Sequence, residues 1–138
     1  NGNSAIPVRF VFQVAAPTYF EPSEWPLLMK VDKLTSAHDF CRMMTGKELK
    51  DYTQEILKIS PAGIVRDGCV PSLIAYGQID HCVPVSQKQY LMEAYLLHDV
   101  PYDYIEFPKS NHGMYNDPDK LLEFLEKSLE YAERYFTD

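Results

Sequence analysis

Only three of the 138 residues are cysteine, and Cys41, Cys69 and Cys82 form no C-x-x-C pair. The odd count and wide spacing argue against a disulfide framework and give no metal-ligand pattern. Basic residues are also scarce: 13 Lys and Arg against 20 Asp and Glu leave a formal charge of −7. Such a chain lacks the basic face that nucleic-acid phosphates require and has no electrostatic attraction to an anionic membrane. No apolar run approaches the ~20 residues needed to span a bilayer. With six glycines there is no phosphate loop and no cofactor fingerprint, so neither cofactor nor metal is expected. The G-x-S-x-G turn that presents a nucleophilic serine is missing too. No signal peptide is visible. The chain starts at Asn1 rather than methionine, which reads as a processed or excised start with any targeting segment lost. The compartment stays open, with the cytoplasm slightly favoured.

What is present is ordinary globular material. Hydrophobic residues make up 46% and charged residues 24%, enough for one domain over 1–138 with a real core. Asn1 to Ile6 reads as a loop. Val8 to Ala15 reads as a strand buried on one or both faces, ended by Pro17. Pro26 to Lys47 gives patchy helical spacing closed by Gly46, and Glu48 to Ile59 a better helix. Ser60-Pro61 looks like an N-cap with proline in the first turn. Pro71 to Tyr76 is a second strand. Ser86 and Gln89 have capping-box spacing at the start of a helix running to about His98, with Tyr90, Leu91, Ala94, Tyr95 and Leu97 on its buried face. Tyr102 to Phe107 is a third strand with the alternation of an edge. Asp117-Pro118 opens a last helix, whose expected buried stripe is Leu121, Leu125, Leu129, Ala132 and Phe136. Strands alternating with helices imply βαβ crossovers and an α/β fold, a parallel sheet of about three strands with flanking helices.

Two residues stand out for chemistry. Asp80 lies just past the second strand, in Gly77-Gln78-Ile79-Asp80-His81-Cys82-Val83-Pro84, and His112 just past the third, in Ser110-Asn111-His112-Gly113. From strand ends a carboxylate can orient an imidazole for general-base work. Asp103, Asp117 and Asp119 are weaker rivals, the last two being accounted for by a helix start.

The motif at Asp80, the H-G at His112 and their order resemble the C-terminal third to half of an α/β-hydrolase, nearest the esterase, lipase and prolyl-peptidase-like branch. The likeness is strongest from Ser60 onward. It implies that the strands are the last of a larger sheet and that 26–59 forms a helical cap or rim. It further implies that Asp80 and His112 are the acid and base of a Ser-His-Asp triad for ester hydrolysis, or peptide hydrolysis in the prolyl-peptidase-like branch. The serine and the oxyanion donors would then lie on a segment absent here. Tyr19, Phe20, Trp25, Met114 and Tyr115 would line the substrate pocket, although core or rim packing explains them nearly as well.

Other readings compete. Gly2-Asn3-Ser4 is half of a nucleophile turn, but no strand can precede Ser4 and Pro7 follows within one turn. Cys82 near Asp80 raises a thiol enzyme, against the ordinary use of a lone cysteine as a small hydrophobe. The chain could also be a non-catalytic binding module on a degenerate hydrolase scaffold. The expected partners are a small ester and, at strand 8–15, either the missing N-terminal half or a second copy of the chain.

Overall fold

The computed structural model describes residues 7–20, 42, 45–48 and 55–136. Three parallel strands form one sheet: β1 (Val11–Val14), β2 (Ser72–Gly77) and β3 (Tyr102–Phe107), in the order β1-β2-β3. A short helix, α1 (Pro61–Ile64), precedes β2. Helix α2 (Ser86–Leu97) joins β2 to β3, and α3 (Pro118–Tyr135) follows β3. This is the α/β architecture expected from the alternating pattern.

The central strand organises the core. Every residue of β2 is buried, and its side chains alternate between two clusters as the period of two requires. Ile74 and Tyr76 pack with Ile56, Val83, Leu91, Tyr95 and Val100 on the α2 side. Leu73 and Ala75 pack with Ala15, Ile105, Phe107, Met114 and Tyr131 on the α3 side. Both faces of β2 are therefore covered, which is why Ser72 to Tyr76 reads as an apolar run.

Several local expectations are corrected. β1 is shorter than Val8 to Ala15, and it is not buried: Val11, Phe12 and Val14 are all exposed. It is an edge of the sheet, bonded to β2 alone among the described residues. The α3 stripe is also open: Leu121, Leu125, Leu129 and Phe136 are exposed, Ala132 is half-buried, and Tyr131 is the buried residue. Leu97 is exposed at 81%, whereas Gln87 and Lys88 are buried on α2. The capping box does not form, because Val85 occupies the cap position and Ser86 is already helical. Ser60 makes no side-chain cap on α1. Its hydroxyl donates to Ile56 O at 2.9 Å and accepts from Phe20 N at 3.1 Å. Gly46 does close a helical turn, at φ +70° with its N–H on Arg42 O. Most of the expected cap, 26–59, lies outside the described residues.

Candidate active site

The parallel register sets the site. It pairs Gly77 with Phe107, so the chain leaves β2 and β3 at the same level of the carboxyl edge, where open parallel sheets place their ligands. Asp80 and His112 lie in the two departing loops. The loops are sewn together by main chain: Gln78 N donates to Phe107 O at 3.0 Å and Ile79 N to Ser110 O at 3.2 Å. A methyl group on Gly77 would sit 2.4 Å from Ser110 O and 2.5 Å from Asn111 O. Only a residue without Cβ lets the histidine loop come this close.

His112 Nδ1 and Asp80 Oδ2 are 2.9 Å apart. A carboxylate can only accept, so Nδ1 carries the proton and Nε2, on the far edge of the ring, is the basic nitrogen. Asp80 Oδ1 accepts the backbone N–H groups of Cys82 at 2.7 Å and Val83 at 2.9 Å. The Asp80 side chain is fully buried while that of His112 is 50% exposed. The acid is thus fixed from behind by the turn that follows it, and the imidazole stands at the surface. Burial, and then the charge of Asp80, push the phenol of buried Tyr76 well above its ordinary value.

Neighbouring groups hold the two loops. Asp117 sits at the start of α3 but does not cap it. Its buried carboxylate turns back to accept from Lys109 N at 3.0 Å and Ser110 Oγ at 2.6 Å. Ser110 Oγ in turn accepts from Asn116 N at 3.0 Å. A helix start therefore does not account for Asp117, because the residue anchors the histidine loop. On the other flank, Gln87 Oε1 accepts from Thr18 N at 2.9 Å and Tyr19 N at 2.8 Å, and Thr18 Oγ1 donates to Gln87 O. Tyr76 OH donates to Ala16 O and accepts from Gln13 Nε2 at 2.8 Å. The loop after β1 is thereby tied to α2 and β2. Gln87 and Tyr76 were not singled out by sequence, since their partners lie some sixty to seventy positions away.

The expected pocket residues are dispersed. Tyr19 packs on Tyr90 with ring centroids 4.5 Å apart, and Phe20 packs on the α2-side core. Met114 is buried in the α3-side core, at φ +58°. Tyr115 is 85% exposed, with its ring against Gly113. Trp25 lies outside the described residues, as does Ser4. A cavity of about 380 Å³ lies along β1 among Val11, Gln13, Arg66, Cys69 and Tyr95, and neither Asp80 nor His112 lines it. The site does gather a donor set invisible as spacing in the sequence. One ligand atom each from Asp80, Cys82 and His112 lie within 4.8 Å of one another. No helix among the described residues is long and apolar enough to cross a membrane.

Known proteins share this fold. The model of the prolyl oligopeptidase family matches residues 11–138. No curated protein sequence matches. Among solved structures, a truncated carbohydrate esterase from gut microbiota superposes with a TM-score of 0.66 at 18% identity, over 94% of this chain and 44% of that one. The esterase Est2 of Thermogutta terrifontis gives 0.57 at 19% identity, over 89% of this chain and 40% of that one. Its propionate-bound form gives 0.58 at 19%, over 91% and 41%. The chain spans less than half the length of these structures, and at such identities the likeness is one of fold.

Proposed function

Because the chain belongs to the prolyl oligopeptidase family, we propose that it supplies the acid and base of a serine hydrolase that transfers an acyl group to water. The observation that carries this reading is the 2.9 Å bond from His112 Nδ1 to Asp80. In this reading 1–138 is one folded unit, with 26–59 as its cap or rim. The nucleophilic serine and the oxyanion donors come from a segment outside it.

His112 Nε2 takes the proton of the serine hydroxyl as oxygen attacks the acyl carbonyl. The resulting imidazolium is stabilised by Asp80, which keeps its own charge, and the proton passes to the leaving alcohol or amine. Water then repeats the cycle on the acyl-enzyme. The two N–H groups on Asp80 Oδ1 keep the carboxylate from turning away, so the correct tautomer is held before substrate arrives. Carboxylic esters are the first substrate class, in keeping with the esterase neighbours. A short peptide is the second, favoured by the family match. Tyr115, exposed beside the histidine loop, contacts the substrate.

A fluorophosphonate probe tests the reading. The 138-residue chain should stay unlabelled, Ser4 included. The polypeptide with its upstream sequence restored should be labelled on one serine, and His112→Gln there should slow labelling by at least about 10⁴-fold. Stoichiometric labelling of the 138-residue chain itself would overturn it.

A further inference from the structure

We propose that Asp80, Cys82 and His112 form a binding site for a thiophilic divalent cation, Zn²⁺ foremost, and that its occupation switches the base off. The second half rests on the function proposed above; the first half does not.

The donors are already gathered. An oxygen, a sulfur and an imidazole nitrogen lie within 4.8 Å of one another. Zn–S bonds near 2.3 Å and Zn–N or Zn–O bonds near 2.0–2.2 Å put neighbouring ligands of a tetrahedral ion roughly 3.3–3.7 Å apart. Closure therefore draws the widest pair in by no more than about 1–1.5 Å and opens the 2.9 Å pair of Asp80 and His112 by about 0.5 Å. The parts that must move are free to do so: Cys82 is an exposed, unpaired thiol, and the imidazole is half exposed. The fixed member is the buried Asp80, whose Oδ1 holds the Cys82 backbone N–H at 2.7 Å and so keeps the sulfur's residue above the carboxylate. The mixture selects the ion. Mg²⁺ and Ca²⁺ demand all-oxygen shells, whereas thiolate with imidazole and one carboxylate suits Zn²⁺ or Co²⁺. Three protein ligands leave the fourth position to water.

The chemistry of binding is a proton exchange. The imidazole nitrogen facing Asp80 is Nδ1, so the cation enters where the Nδ1 proton was. That proton moves to Nε2, the thiol releases its own to solvent, and no electrons change hands. With Nε2 protonated and Nδ1 on the metal, His112 has no lone pair for a serine hydroxyl. The ion enforces the wrong tautomer, and removing it with a chelator restores the right one.

Co²⁺ serves as the optical probe on the 138-residue chain. One equivalent should give the near-ultraviolet thiolate-to-cobalt band and the visible bands of a tetrahedral ion, both erased by one equivalent of Zn²⁺. Cys82→Ser should abolish the thiolate band. Zn²⁺ affinity, measured by chelator competition, should fall by more than the ~10–100-fold that loss of an outer-shell partner costs. His112→Gln should weaken it similarly, and Cys69→Ser should leave both readings in place. Circular dichroism checks that each variant is folded. No thiolate band, or a band that survives in Cys82→Ser, overturns the site. In the upstream-extended polypeptide the readout is the ratio of hydrolysis rates with and without Zn²⁺. Cys82→Ser should bring that ratio to about one at Zn²⁺ levels that silence the parent. Hydrolysis that ignores bound Zn²⁺ refutes the switch alone. Stoichiometric Zn²⁺ binding in a polypeptide that never hydrolyses anything refutes the hydrolase reading alone.

Discussion

Gly77 decides whether the acid and base meet. Its missing side chain lets the carbonyls of Ser110 and Asn111 approach to where a Cβ would be 2.4–2.5 Å away, and both obstacles are main chain, which cannot swing aside. Gly77→Ala should cost about 1–3 kcal/mol of stability, the range for overpacking, with His112 pushed off Asp80; urea unfolding and a crystal structure would check this. Tyr76 supplies a pH dependence. Burial, and then Asp80, raise its phenol above the ordinary value, so the folded state holds the proton more tightly than the unfolded one. That stabilisation is complete below about pH 10, where the unfolded phenol begins to ionise, and is lost as pH rises from there toward the folded value. Burial acts on Tyr104 and Tyr131 in the same direction. The urea midpoint should fall from about pH 10 upward, more shallowly in Tyr76→Phe; an unchanged slope in that variant would contradict it. At this scale the sequence was legible where a residue type and a strand end coincide, as at Asp80 and His112. It was not legible at Asp117, because Asp-Pro spells a helix start whichever way the carboxylate turns.

Elements were easier to read than their exposure. All three strands and the helices from Pro61 onward fall within a few residues of the apolar pattern, which is plainest at β2, where both faces are buried. Periodicity marks an apolar face without saying what covers it, and this is how β1 and α3 misled. Phe12 contacts Phe124 and Tyr131, and Phe10 contacts Phe136, so the open edge of β1 and the α3 helix form one continuous surface. On α3, on β1 and just before β1, Val8, Val11, Val14, Leu122, Leu125 and Leu129 are exposed. An unpaired apolar strand edge is a template for association. The 138-residue chain should therefore self-associate, or bind the segment that completes its sheet, with light scattering as the measure. Leu125→Glu with Leu129→Glu should weaken that association while shifting the chain's own stability by no more than about 0.5 kcal/mol per site. A monodisperse wild-type monomer would contradict the expectation.

At the scale of the whole molecule, the superposition on the gut esterase takes in 94% of this chain but only 44% of that one. Its two loops carry an oriented imidazole on a buried carboxylate, and the sequence offers no serine turn to go with them. The motif order put Asp80 and His112 just past two strand ends, and the structure brings their side chains to 2.9 Å. The pocket stayed unreadable, since Tyr19, Phe20 and Met114 pack inward and aromatic letters alone do not distinguish lining from core. The decisive measurement is kcat/KM for an activated ester and a short peptide in the polypeptide extended upstream, as wild type, Asp80→Asn and His112→Gln. The expected result is a fall in kcat of about 10⁴-fold for Asp80→Asn through the wrong tautomer, and at least as large a fall for His112→Gln. Hydrolysis that proceeds undiminished without Asp80 or without His112 would contradict the assignment of acid and base.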